Sequence, residues 1–443
     1  MDYLPPQLRL ASARLSNFHK NTQRLEIISS SQAGPGTQTT VQLPDNALID
    51  LRSFRMYGTV TCTGGTENAS VAYGRLPEHS SYLISKVEVA MNAQQINHGH
   101  SEWNTSMKLK RTCERSRDFD GSVDRALMHG SIASDDSNET ARLVWADWSC
   151  CFLGSSAAQY LDTGLTGSLT LKITWAPASV LVPKIAAVNL GTDFGATADH
   201  VTAASRVSYS VSDIFFDIAV VSLDDVYPQM LRQKLAQDGV LEIPYYEYYS
   251  FSQDSINSNS FTHQMFVSTR SLDKLYATFR SSNYSTTGVR SHTLPNAALT
   301  DLLVSNALRF RAFDTNNTAR LHWTVNNIPN PSYSVDNRWP LAEVAHLADK
   351  HGQGSGNLIT SYESFLDGTY VFPLCLSMPG TPMSLTTGLD LRGVNGQINL
   401  RATGITLPTV SAAAQIAATT IACYVLAETK AVLKIAPGRV CFP

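Results

Sequence analysis

Residues 207–253 read VSYSVSDIFFDIAVVSLDDVYPQMLRQKLAQDGVLEIPYYEYYSFSQ, and they decide the fold. Val207, Tyr209 and Val211 alternate with serines at the two-residue period of a half-buried strand. The phase slips near Asp213 and resumes at Phe216, Ile218 and Val220, which predicts a bulge or kink. The period then changes. Asp224 or Asp225 can cap a helix and Pro228 fits its first turn, while Val226, Leu231 and Leu235 share a face and Gly239 can end it. An aromatic-rich strand follows at LEIPYYEY. The stretch reads as strand, connecting helix, strand, with Val226, Leu231 and Leu235 as a structural seam.

After that seam the chain starts again. LEIISSSQ at 25–32 is answered by LEIPYYEYYSFSQ at 241–253, an offset of 216. ALIDL at 47–51 is answered by SLDKL at 271–275, an offset of 224. GLTGSLTLKIT at 164–174 is answered by GVNGQINLRAT at 393–403, an offset of 229, and YSVSDIFFDIAV at 209–220 by YVLAETKAVLKI at 424–435, an offset of 215. The third pair is the best, with two glycines, a leucine and a threonine matched. Four pairs in the same order within a narrow band of offsets indicate two copies of one fold.

Length agrees. The chain has 443 residues, and a single core stops growing at roughly 250–300. Only 16% of residues are charged, below the usual figure of about 25%, which suits surfaces buried against other copies. A net charge of −3 argues against a dedicated nucleic-acid binder. Seven cysteines, at 62, 113, 150, 151, 375, 423 and 441, form no CxxC pair, so free thiols are expected rather than a disulfide framework or a zinc ribbon. The start, MDYLPPQLRLASARL, does not read as a signal peptide, no stretch approaches about 18 apolar residues, and the four sequons, beginning at Asn68, Asn104, Asn138 and Asn283, are expected to stay unmodified.

In chain order, residues 1–22 read as an arm that orders on a partner or frays, and the first strand occupies 23–32. LPDNALIDL reads as an irregular or helical link. SFRMYGTVTC follows as a strand with Phe54, Met56 and Val60 on one face, then LISKVEVAMN with Val87, Val89 and Met91 inward. A short helix is predicted through SEWNTSMKLKR, a polar loop over 114–140, strands at VWADWSCCFLG and SLTLKITWAP, and a long excursion at 178–206. The second half predicts strands near 240–252, 259–268, 274–281, 307–314, 319–326, 369–376, 395–403 and 420–435. It also predicts a helix at PLAEVAHLADK whose Leu341, Val344, Ala345 and Ala348 share a face. The fold class is therefore all-β: two consecutive eight-stranded jelly-roll β-sandwiches with short inserted helices. The divisions are 1–22 for the arm, 23–223 for the first roll, 224–239 for the connecting helix and 240–443 for the second roll.

Candidate chemistry does not assemble. His98-Gly99-His100 resembles the start of a cupin metal site, but Glu102 comes too soon and the second half has no HxH, so neither a metal nor a cofactor is implied. GQGSG at 352–356 has no Gly-Lys-Ser/Thr after it, and no Gly-x-Ser-x-Gly elbow occurs. Asp135-Asp136 and Asp224-Asp225 read as turns and caps. Lys108, Lys110, Arg111, Arg115 and Arg117 form a basic cluster that Glu114 and Asp118 interrupt, so a solvated helix face is expected. No catalytic residue emerges.

LPDNALIDLRSF with LISKVEVAMNAQQIN in the first half resembles the double jelly-roll major capsid proteins of tailless icosahedral double-stranded DNA viruses. So do DDVYPQMLRQKLAQDGVLEIPYYEYYSF, STRSLDKL and TKAVLKIAPGR in the second; polinton-like viruses and virophages are the nearest likeness. The resemblance covers nearly the whole chain as plan and scattered motifs. It implies a non-enzymatic shell protein without cofactors, forming an upright homotrimer whose six rolls give a pseudo-hexagonal capsomer. Its partners would be neighbouring capsomers, penton and minor capsid proteins, with room for weak contact of the arm with an inner membrane or genome and no specific nucleic-acid binding. Its place would be the virion, assembled inside the host cell and not secreted. The excursion at 178–206 is about twice as long as its counterpart at 404–419, which departs from even copies. The competing class is a two-domain sandwich that binds or cleaves carbohydrate, which would need a secretion signal, paired carboxylates and clustered exposed aromatics.

Overall fold

The period-two run at 207–220 lies in a long strand, Ser208–Ser222, whose register shifts between Ser212 and Phe215, where Asp213 takes a φ of 53°. The bulge that the broken alternation predicts is there. The computed structural model describes residues 19–29, 31–68, 70–97, 101–114, 137–148, 152–155, 159–185, 206–222, 235–281, 290–291, 304–305, 307–314, 317–350, 362–377, 388–392, 396–407, 420–436 and 440–442, with the isolated positions 203, 229 and 233.

Among the described residues, eight strands make the paths of the first half's two principal sheets, with short accessory strands beside them: β1 His19–Leu25, β2 Gln38–Gln42, β3 Leu48–Thr63, β4 Ile84–Met91, β5 Gln94–Gln95, β6 Thr140–Trp145, β7 Leu169–Trp175 and β8 Ser208–Ser222. They pair as β1-β8-β3-β6 and β2-β7-β4-β5, all antiparallel. Eight more make the two principal sheets of the second half, again with short accessory strands: β9 Leu241–Ile256, β10 Phe261–Phe266, β11 Leu272–Ser281, β12 Arg320–Val325, β13 Ile328–Val335, β14 Phe372–Cys375, β15 Gln397–Thr403 and β16 Ile421–Ala436. Their order, β9-β16-β11-β14 and β10-β15-β12-β13, repeats the first half strand for strand. Two facing sheets with this winding are a jelly roll. The chain is all-β and contains it twice.

The repeat extends to the turns. The β4–β5 hairpin turns through Asn92 and Ala93 at φ 49° and 66°, and β12–β13 through Asn326 and Asn327 at φ 50° and 63°. Two successive positive φ values are what a tight hairpin requires, and asparagine tolerates them. In each half a helix follows that hairpin: α1 Trp103–Glu114 and α2 Arg338–Lys350. Inside each roll, alternating residues fill the sandwich. Val87, Val89 and Met91 of β4 are buried, as are Phe54, Met56 and Val60 of β3.

Several boundaries differ from the sequence reading. The first strand starts at His19, not residue 23, so residues 19–22 belong to the sheet rather than to an arm. His19–Arg24 are all exposed on this edge strand, so hydrophobic alternation cannot mark it. ALIDL is not a link but the opening of β3, because Ile49, Asp50 and Leu51 are buried in succession and hide the two-residue period. The strand placed at VWADWSCCFLG ends at Trp145, and Phe152–Ser155 is a helical turn. Only Phe310–Arg311 of the strand placed at 307–314 forms. VNNIPNP is not merely a turn, since β13 runs through both prolines, and edge strands admit proline. In α2 it is Val344 and Leu347 that are buried, with Leu341 and Ala345 partly so.

Candidate assembly seam between the two halves

Ordinary amphipathic helices bury one stripe. In α1, every residue from Trp103 to Lys110 is buried, including two lysines. Trp103 packs toward its own roll, its ring 6.4 Å from that of Trp148. The polar side chains go the other way, onto the second half. Ser106 Oγ lies 2.9 Å from Tyr424 Oη, and Lys108 Nζ donates to the Leu308 carbonyl at 2.6 Å. Lys110 Nζ donates to Tyr248 Oη at 2.5 Å and to Glu428 Oε2 at 3.1 Å. Just before the helix, Glu102 receives Arg280 at 3.2 Å.

The receiving surface is the outward face of the β9-β16-β11-β14 sheet. Register places Tyr248, Glu428 and Lys274 in one row, and Ser250, Leu426 and Tyr276 in the next. Every residue of β11 and Ile421–Lys430 of β16 is buried, on both faces, as expected of strands covered on both sides. One face meets the roll's own core through Leu275, Ala277 and Phe279; the other meets α1. Glu428 sits at the centre: Oε1 is 3.1 Å from Lys274 Nζ and Oε2 3.1 Å from Lys110 Nζ. Lys430 and Asp273, 3.6 Å apart, extend the network.

Burial dominates the electrostatics here. It lowers the Lys108 ammonium from its ordinary range, since charge is disfavoured away from water. It raises Asp273 in spite of Lys430, pushes Tyr246 up to about 12 with help from Glu428, and holds Tyr424 well above the usual phenol range. A network of compensated charges in a dry contact resists parting, because separating it leaves each member unpaired or exposed. What the arrangement does is mechanical: it locks one roll to the next in a single orientation.

The basic cluster therefore corrects the sequence reading. Lys108 and Lys110 are neither a solvated face nor a nucleic-acid patch; they are the first half's contact with the second. Arg111 lies 3.9 Å from Asp147, and Arg115 and Arg117 lie outside the described residues. Of the expected seam residues, Leu235 is buried at 7% exposure, in a helical turn ended by Gly239 at φ 74°. Val226, Leu231, Asp224 and Asp225 lie outside the described residues. So do His98, His100, Asp135, Asp136 and the 352–356 glycines; among the described residues no His, Cys, Asp and Glu cluster could hold a metal. The missed signal was SLDKLYATFRS and IACYVLAETK. These apolar runs carry charged residues an even number of positions apart, Lys274 and Arg280 in the first and Glu428 and Lys430 in the second, which suits a strand whose outward face is buried against polar partners.

A solved structure of PBCV-1 VP54, fitted into the reconstruction of the virophage Sputnik, superposes on this chain with a TM-score of 0.59 over 98% of both chains, at 14% identity. The Faustovirus major capsid protein gives 0.56 over 98% of this chain and 93% of its own, at 10% identity. The fold is the double jelly roll of viral major capsid proteins. A PBCV-1 capsid chain gives the same coverage as the first, with a TM-score of 0.56. No protein-family model matches the chain, and no curated protein does. At these identities it is the backbone plan that is shared. The fold can persist while nearly every side chain changes, because alternation and volume suffice to specify a sandwich.

Proposed function

We propose that this chain is a major capsid protein that assembles as a homotrimer, each trimer a pseudo-hexagonal capsomer tiling the icosahedral shell of a double-stranded DNA virus. The carrying observation is end-to-end superposition on double jelly-roll capsid proteins, covering 98% of both chains in the case of PBCV-1 VP54. A structural role needs a fixed relation between the two rolls, and the α1 contact supplies it. In this reading the chain is not an enzyme. It resides in the virion after assembly inside the host cell, and contacts neighbouring capsomers, penton and minor capsid proteins. With His19 opening the first strand, the units of that assembly are an arm that ends before residue 19, a first roll from there to 223, a connecting helix at 224–239 and a second roll at 240–443, with Val226, Leu231 and Leu235 joining the two rolls. The test is light scattering and negative-stain microscopy of the purified protein. Trimers or shells are expected; a monomer at micromolar concentration in mild salt would defeat the proposal.

A further inference from the structure

The two rolls differ at one inward position. β7 and β15 correspond, so the row Val41, Leu171 and Val89 of the first roll is answered by His263, Leu400 and Trp323 of the second. Val41 is fully buried, and His263 is 7% exposed. The second roll therefore holds an imidazole where the first holds a valine. Nδ1 of that imidazole is sealed from solvent and has no hydrogen-bond partner among the described residues. A neutral ring carries one N–H, whereas imidazolium carries an N–H on both nitrogens. A proton on His263 thus leaves a charged donor buried without an acceptor, which costs more than leaving a neutral one.

Nothing around the ring compensates that charge. Its inward neighbours on β10 are Phe261 and Met265, and the Phe261 ring meets Phe279 of β11 edge-on at 5.9 Å. Of the residues that the opposite sheet turns inward, Tyr249 of β9 and Cys423 of β16 are titratable, and Tyr370 stacks on Phe279. Burial keeps all three protonated well above neutral pH. Glu247, the carboxylate on that side of β9, lies at the level of Leu272, seven residues along β11 from Phe279. Arg401 of β15, Arg320 and His322 of β12, and Lys274, Arg280 and Glu428 of the opposite sheet stand on the outer faces. Burial alone lowers the ring's affinity for a proton from its ordinary value of 6.5, with no neighbouring charge acting on it.

The strand that carries His263 is also loosely held. Among the described residues, β10 pairs only with β15. Its counterpart β2 is clasped on its outer side by the chain that precedes it. Ile27 bridges to Val41, the Ile28 N–H donates to the Thr40 carbonyl at 2.9 Å, and the Thr40 N–H donates to Ser29 Oγ at 3.1 Å. A strand held along one side opens more readily than one held along both. Opening lets the imidazolium reach water, so protonation and opening favour each other. We infer that β10 is an acid-released strand: a proton on His263 frees Phe261–Phe266 from the second roll, while β2 of the first roll, with valine at that position, stays in place. The hold on β10 is complete above the ordinary 6.5 and is lost as pH falls from there towards the lowered value. Acid thereby opens one sandwich of the pair at its edge and spares the other.

The device lies within one chain, so it stands or falls apart from the capsomer reading. The test is hydrogen-exchange mass spectrometry of the full chain at about pH 7.5 and about pH 5, on either side of the ordinary imidazole range, with rates corrected for the pH dependence of exchange itself. One proton changes an opening equilibrium by at most about tenfold per pH unit. Between 6.5 and about 5 the 261–266 segment should therefore lose protection by at least about threefold and at most about thirtyfold, and the 38–42 segment by less than about twofold. His263→Val, which copies Val41, should hold the 261–266 segment within about twofold over the same range. A wild-type loss at 261–266 below about threefold would overturn the inference. So would equal losses in both segments, or a His263→Val protein that loses protection as wild type does. The comparison of the two strands in wild type is decisive by itself, even where the valine variant folds poorly.

Discussion

Replacing Glu428 by glutamine tests the seam directly. The Glu428 side chain is 1% exposed, and its two oxygens each lie 3.1 Å from an ammonium, Lys110 from the first half and Lys274 from the second. Those lysine side chains are 8% and 6% exposed. Glutamine keeps the volume but removes the charge, and its amide NH2 must face one of two donors. Removing one member of a buried, hydrogen-bonded charge pair costs about 3–5 kcal/mol, much of it the penalty of leaving the partner uncompensated. For a roll of roughly 200 residues each kcal/mol moves the melting temperature by about 2–4 °C, so Glu428→Gln should melt about 6–20 °C below wild type. The assay is scanning calorimetry at one fixed rate and pH, since a two-roll chain need not unfold in a single step. A triple variant, Lys110→Met, Lys274→Met and Glu428→Leu, removes the whole group and should lose less than the single one, because no orphan charge remains. A Glu428→Gln protein melting within about 2 °C of wild type, or a triple variant worse than the single, would refute the account of the seam as a compensated buried charge network.

Other outcomes follow from the same contacts. Leu231→Ala with Leu235→Ala should leave β-rich protein that assembles poorly, at about 2–5 kcal/mol for each leucine that is buried, whereas Arg232→Ala should be nearly silent; shells as abundant as wild type by microscopy would contradict this. Burial pushes the Cys62 thiol up to about 12 from its ordinary 9. The folded chain therefore holds a proton that the unfolded chain releases: this stability is complete below pH 9 and lost as pH climbs from 9 towards 12. Urea midpoints should fall over that range, less steeply in Cys62→Val; parallel slopes would count against it. Cys62, Cys113, Cys375 and Cys423 are free thiols, three of them buried. Mass spectrometry of the unreduced protein should show all seven cysteines free, and a stoichiometric disulfide would overturn that.

Much of the fold was legible because strand alternation is written locally. The slip at Asp213, the inward faces of β3 and β4, and the position of α1 all follow from spacing. So does the doubling, since the four matched segments fall in corresponding strands or at their ends. Legibility failed where burial does not alternate. β1 is exposed throughout its first six residues and β3 has three buried residues in a row, Ile49 to Leu51, just after its first, so neither opens on a two-residue period. The basic run at 108–111 was misread for a related reason: a lysine in a sequence carries no mark of whether its partner is water or a carboxylate.

The sequence by itself determined an all-β chain, two copies of one sandwich, a helix inserted after a hairpin in each copy, and the absence of any recognisable catalytic or metal motif. Those features rest on residues within a few positions of one another, where period, turn chemistry and capping act. Tertiary structure decided which outward faces are covered and by what. Lys110 and Glu428 are separated by 318 positions. Their pairing depends on where the first half's helix comes to rest on the second half's sheet, a relation that no local pattern encodes. Among the described residues, Arg24, at the corresponding level of the first half's sheet, is exposed, and Phe215 and Tyr57 are only partly buried, which the alternation of their strands does not distinguish from the covered face of the second half.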